Sequence, residues 1–325
     1  MNIYEIAERC GVSIATVSRV INGSGPVGKA TKEKVLRVIE ETGFTPNSFA
    51  RGLNFNSMRL IGVLCTDFGD PFYSQAIAYL EEQLRSRGFH MLLVCTGYTV
   101  EGKKRGLVEL VNKNVDAIVL IGTVFKENDN SHIEETARKV PVFMVNSTVD
   151  AYNVYSVKCD EERAAEQAVS ALLDAGYRKP LYLHSQTWYG NADKIRGYCQ
   201  ALKGAGYSVD EDLIVKVDNS ADAVVMLLAE RLETDKDAFD AVFTANDVLA
   251  AYALKALEHL GVSKPIIGFN ISPLAELVTP ELSSVDNMLA AMCHTIADRV
   301  VDVLHGKQPP KTTILSGSLI RRATF

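Results

Sequence analysis

The stretch SRVINGSGPVG, residues 18–28, places Gly23, Gly25 and Gly28 in the spacing G-x-G-x-x-G. In a dinucleotide-binding fold that spacing lets backbone N–H groups close on a pyrophosphate, and Glu40 and Glu41 follow where a ribose-binding acid belongs. Such a loop must follow a buried strand. Here the residues before Gly23 carry a helical period, Gly23 falls where one helix stops, and Gly28 falls where the next begins. Pro26 also removes an N–H that a phosphate loop would offer. These glycines punctuate helices, and no nucleotide cofactor is expected.

Other constellations that could catalyse a reaction are missing from the sequence. The six cysteines form no C-x-x-C pair, and the six histidines show no metal-ligand spacing. No G-x-S-x-G, H-E-x-x-H or P-loop occurs, and the paired Glu134 and Glu135 read as an ordinary helix face. No catalytic residue, metal or cofactor is therefore expected. Scattered thiols in apolar runs suit a reducing cytoplasm. The N-terminus has no basic, then apolar, export pattern, and no apolar run approaches the ~18 residues of a membrane helix.

The residues left to consider are binding residues, and charge locates the first group. The chain carries 34 Lys/Arg against 40 Asp/Glu, but residues 1–60 hold eight basic and five acidic side chains. A small basic head on an acidic body is what a separate DNA-contacting module would look like. Three short helices fit that head. Asn2 and Glu5 form a capping box ahead of Ile3, Ile6 and Ala7. Ser13 caps a second helix held by Val17, Val20 and Ile21. A third runs from about Ala30 to Thr42, with Val35, Leu36, Val38 and Ile39 inward and Gly43 just past its end. Two helices joined by CGVS make a helix-turn-helix. Its second helix presents Ile14, Ala15, Ser18, Arg19 and Asn22 outward, where Arg19 can reach guanine O6/N7. A three-helix protein-docking module fits the same pattern.

Residues 44–59 read as a polar linker with a short amphipathic stretch. From Leu60 apolar strands alternate with helices, with strands expected at 60–65, 91–95, 117–122 and 142–146, and again at 181–184, 214–217, 241–245 and 265–269. Two runs of four imply two doubly wound parallel-sheet α/β subdomains, and a late strand, TTIL, returns to the first. With 325 residues, 47% hydrophobic and 23% charged, the chain has the composition for several globular domains. Ligands of such folds sit at the carboxyl ends of the strands, in the crevice between lobes. That selects Asp67, Asp70, Phe72 and Tyr73 after the first strand and Asn146 after the fourth. In the second lobe it selects Trp188 and Lys194, then Asn246, Asp247 and Asn270.

The run IYEIAERCGVSIATVSRVINGSGPVGKATKEKVLRVIEETGFTPNSFARGL resembles the head and hinge of the lactose-repressor/galactose-repressor (LacI/GalR) family, and the body resembles its core more loosely. The resemblance implies a transcription regulator, usually a repressor, binding palindromic operator DNA as a homodimer under a small effector. It implies a helix-turn-helix head over 1–45 and a hinge helix within 46–59. A first core subdomain would take 60–158 and 287–316, and a second 159–286 and 317–325, both like type I periplasmic binding proteins. Tyr4, Ser13, Thr16, Ser18 and Asn22 would serve the DNA backbone and helix positioning, while Ile14 and Ala15 choose operator bases. Asn47 would cap the hinge helix, Ala50 let two such helices pack, and Leu53 wedge a central base step. Gly52 weakens an isolated hinge helix, so its order would depend on dimer and DNA.

Against the family pattern, Lys194 replaces a ring-contacting arginine, and Asn146 and Asn270 replace aspartates. A retained cation with two lost carboxylates points to a sugar-acid effector whose carboxylate faces Lys194, with Phe72 or Tyr73 and Trp188 as platforms for the ring. A neutral sugar and a nucleobase are the alternatives. A periplasmic sugar-binding protein shares the body but needs an export signal and no DNA-binding head.

Overall fold

The computed structural model describes residues 3–22, 25–43, 58–185 and 188–325, apart from the side chains of residues 22 and 188–190. It divides into a head, residues 1–59, and a body, residues 60–325.

In the head, α1 (Ile3–Cys10), α2 (Ile14–Asn22) and α3 (Lys29–Thr42) enclose one small core. Ile6, Ala7 and Cys10 of α1 meet Val17 and Val20 of α2 and Val35 of α3. The turn out of α1 closes at Gly11, whose φ of 63° a Cβ would oppose, and the Gly11 N–H donates to the Glu8 carbonyl at 3.0 Å. Leu36, expected to face inward, is 45% exposed. Neighbouring residues on a helix point about 100° apart, and the Val35 stripe already fills the seam.

The body contains two six-stranded sheets. The first is built from β1 (Leu60–Cys65), β2 (His90–Cys95), β3 (Ala117–Ile121), β4 (Val142–Val145), β5 (Val154–Cys159) and β11 (Thr312–Leu315). Their order is β11-β5-β4-β3-β1-β2, parallel throughout. The second uses β6 (Pro180–His184), β7 (Ile214–Lys216), β8 (Ala241–Thr244), β9 (Ile266–Phe269), β10 (Ser283–Asp286) and β12 (Ser318–Ile320). Its order is β12-β10-β9-β8-β6-β7, with only β12 antiparallel. The apolar runs became strands because parallel sheets are covered on both faces, and β1, β3, β4, β8 and β9 are almost wholly buried. Strands β5, β10 and β12 were not expected.

Helices α4 (Pro71–Ser86), α5 (Val100–Asn112), α6 (Ser131–Ala137) and α12 (Leu289–Leu304) belong with the first sheet. The second carries α7 (Glu161–Asp174), α8 (Trp188–Gly204), α9 (Ala221–Thr234), α10 (Asp247–His259) and α11 (Leu274–Leu277). The chain passes between lobes three times, after β5, after β10 and after β11. Among the described residues no helix is long and apolar enough to cross a membrane.

Candidate functional site

The outer face of the head is built by α2. Ile14 is 40% exposed, Ala15 and Arg19 are exposed, and Tyr4 on α1 is exposed too. Ser13 and Thr16 are engaged with one another: the Thr16 N–H donates to Ser13 Oγ at 3.2 Å, and the two hydroxyls lie 2.9 Å apart. They fix the start of α2 in the manner of an N-cap. Ser18 is half-buried beside them. Asn22 ends α2 with its side chain outside the described residues, as Asn47, Ala50 and Leu53 are entirely.

In the body, residues at strand carboxyl ends converge where the lobes meet. A cavity of about 20 Å³ is walled by Asp70, Phe72, Tyr73, Gly122, Thr123 and Asn146 from the first lobe. Glu161, Lys194, Asn246 and Asn270 wall it from the second. Local structure aims each of them. Asp70 caps α4, accepting the Phe72 N–H at 2.8 Å, and burial raises its carboxyl above the usual range. Phe72 meets the Tyr73 ring edge-on, centroids 5.3 Å apart. Gly122, at φ 103°, has no Cβ to press on that Tyr73 ring. Asn246 caps α10 by accepting the Leu249 N–H at 2.9 Å, and Asn270 accepts from Asn287 at 2.9 Å. Each amide oxygen is thus occupied, and the amide NH₂ groups remain to donate.

The wall holds a buried charge cluster that the sequence did not reveal. Lys194 Nζ lies 3.4 Å from Glu161 Oε1, donates to the Ala245 carbonyl at 3.1 Å, and sits 4.1 Å above the Phe269 ring. Asn146 braces Glu161, donating to it at 2.9 Å while its own oxygen accepts the Cys159 N–H at 3.1 Å. Lys194 therefore already has its counter-charge. Glu161, in the first turn of α7, was not among the expected site residues. With Asp70, it places two carboxylates in the wall that holds Lys194.

Two expected site residues lie off this cavity wall and take other partners. Asp67 is not on the cavity wall: its Oδ1 accepts the Gly69 N–H at 2.8 Å and shapes its own loop. Asp247 is not on it either, being 1% exposed and pinned by Ser272 N–H and Ser284 Oγ–H, each at 2.5 Å. Burial raises its pKa to about 6, against the lowering pull of those donors. Trp188 opens α8, but its side chain is outside the described residues. The cavity is about one water in size, so a sugar can enter only if the lobes part.

Residues 2–47 match the family described as bacterial regulatory proteins, lacI family, and residues 59–308 match periplasmic binding proteins and sugar binding domain of LacI family. An HTH-type transcriptional regulator of Lachnoclostridium phytofermentans is 40% identical, over 100% of this chain and 99% of its own. The regulator DegA of Bacillus subtilis is 31% identical, over 89% and 87%. Among solved structures, a transcriptional regulator CelR–cellobiose complex is similar at TM-score 0.72 and 27% identity, covering 100% of both chains. The Lac repressor dimer bound to operator and the anti-inducer ONPF shares the fold at TM-score 0.87 and 21% identity, covering 100% of this chain and 98% of that one.

Proposed function

The chain belongs to the lacI family of bacterial regulatory proteins, DNA-binding transcriptional regulators that are not enzymes, and on that premise we propose that it is an effector-controlled repressor. It acts in the cytoplasm as a homodimer on a palindromic operator, two heads reading two half-sites. The hinge of residues 46–59, with Asn47, Ala50 and Leu53 in the roles given above, links effector state to DNA affinity. Arg19 reads a guanine, and Ile14 and Ala15 discriminate by methyl contact or exclusion.

The effector is a carbohydrate whose ring lies in the inter-lobe cavity. One observation carries this: amide donors on Asn246 and Asn270 and the Asp70 carboxylate converge beside the Phe72 ring. Donors and acceptors around an aromatic face suit hydroxyls and the C–H face of a sugar. The CelR relative holds cellobiose in its complex. The ring is uncharged where it meets Lys194, because Glu161 and Asp70 would repel a carboxylate there.

The test is selection of bound duplexes from a random DNA pool, repeated with a carbohydrate panel. An enriched inverted repeat whose affinity falls at least tenfold with one carbohydrate is expected. A selected site lacking inverted symmetry, or one indifferent to every carbohydrate, overturns the proposal.

A further inference from the structure

Beside the inter-lobe cavity, and sharing Asn146 and Glu161 with it, lies a chamber of about 350 Å³. Its walls hold Lys126, Lys158 and Arg196 against Asp193, besides the already paired Glu161. Lys158 Nζ approaches Asp193 Oδ2 at 3.3 Å across the two lobes, while Arg196 bonds the other oxygen of the same carboxylate and also donates to Glu162 at 2.7 Å. The Asp193 carboxyl lies below its usual range: burial works to raise it, but Lys158 and Arg196 together outweigh burial. Lys126 is exposed and makes no ion pair among the described residues. Ser147, 4% exposed on the same wall, has a hydroxyl with no hydrogen-bond partner among the described residues. Beyond its ion pairs this chamber has one further cation, Lys126, together with an orphaned hydroxyl and an edge common with the inter-lobe cavity.

We propose that the effector is a phosphorylated carbohydrate, its ring in the inter-lobe cavity and its phosphate ester in this chamber, held by Lys126, Lys158 and Ser147 with Arg196 opposite. The inference rests on the carbohydrate reading above. It differs from a sugar acid on Lys194 in where the anion sits and in which anion it is. A phosphate dianion offers three terminal oxygens, one for each of several donors spread over both lobes, where a carboxylate offers two. Because Lys126 and Lys158 belong to the first lobe and Arg196 to the second, the ester would draw the lobes together.

Calorimetry on the full chain, with hexoses and their matched phosphate esters, tests it. The panel includes glucose and glucose 6-phosphate, fructose and its 1- and 6-phosphates, glucuronate and cellobiose. One ester is expected to bind roughly ten- to hundredfold more tightly than its parent sugar, and inorganic phosphate should compete with the ester alone. Lys126→Ala/Lys158→Met should erase that advantage. Should the double variant misfold, Lys126→Ala, a change at an exposed side chain, should still shrink it severalfold. Equal binding of ester and parent, a preference that survives the substitutions, or tighter binding of glucuronate or cellobiose each overturns the inference while leaving the carbohydrate-responsive regulator in place. A chain that responds to no carbohydrate overturns both.

Discussion

Lys194 Nζ stands 3.4 Å from Glu161 Oε1, with 5% and 3% of the two side chains exposed, inside the wall where the lobes meet. Neither charge has water to fall back on. Their attraction offsets a desolvation cost that either one alone would leave uncompensated.

Lys194→Ala or Glu161→Gln alone should therefore cost about 3–5 kcal/mol in urea unfolding, whereas Lys194→Met with Glu161→Gln should recover most of it. Strict additivity of the two losses would show that the groups do not compensate each other. A Lys194→Ala chain of unchanged stability would contradict the burial described for it.

Gly197→Ala should destabilise the second lobe by about 1–3 kcal/mol, because a Cβ there collides with the Glu162 carbonyl and the Glu166 N–H of α7. The same close approach of α8 to α7 brings Lys194 to Glu161. Thermal unfolding should fall, and carbohydrate affinity should fall with it. A loss confined to stability would separate the packing from the binding wall.

Asp247 gives a pH signature with a definite sign. Its carboxyl has a pKa of about 6 folded against 3.8 as a free side chain, so between those values the folded chain holds the extra proton. Its contribution is fully present below about pH 3.8 and is lost as pH rises through about 6, on the order of 3 kcal/mol in all. Asp247→Asn should flatten the slope of stability against pH in that window. An unchanged slope would assign it to other groups.

Arg19→Ala should weaken operator binding by ~1–3 kcal/mol per half-site and relax preference at one symmetric base pair, with no effect on the body's thermal unfolding. Loss of affinity with an unaltered binding logo would place Arg19 on the phosphates instead.

What could be read in advance was whatever announces itself locally. Apolar runs such as LIGVLC and AIVLI, the CGVS turn and the cap Ser13 all carry their signal within a few residues. Strands β5 and β10 do not. Ser156 and Lys158 interrupt VYSVKC, and SSVD is short and polar. Their buried polar groups are satisfied from far along the chain: the Ser156 carbonyl accepts from Arg299, and Ser283 and Ser284 bond Phe325 and Asp247. Glu161 was missed for the same reason, since nothing near it in sequence says that Lys194 will arrive. Asp67 and Asp247 differ the other way. Each stands in the right loop, but backbone N–H groups, joined at Asp247 by a hydroxyl, claim its carboxylate.

The threefold passage of the chain between lobes also sets the order in which the protein can be completed during synthesis. Strands β1 to β5 emerge early, yet α12, whose Leu289, Met292, Cys293 and Ile296 cover them, and the edge strand β11 come only after the second lobe has been made. Until then the first sheet has an apolar face covered only in part, by α4, and an unpaired edge, a surface of the kind on which nascent chains aggregate or recruit chaperones. The second sheet waits as well, for β12. Both lobes therefore close almost together, once residues 312–320 have been made, and a ribosome stalled before residue 289 would carry two unfinished domains where a sequential fold would carry one finished one.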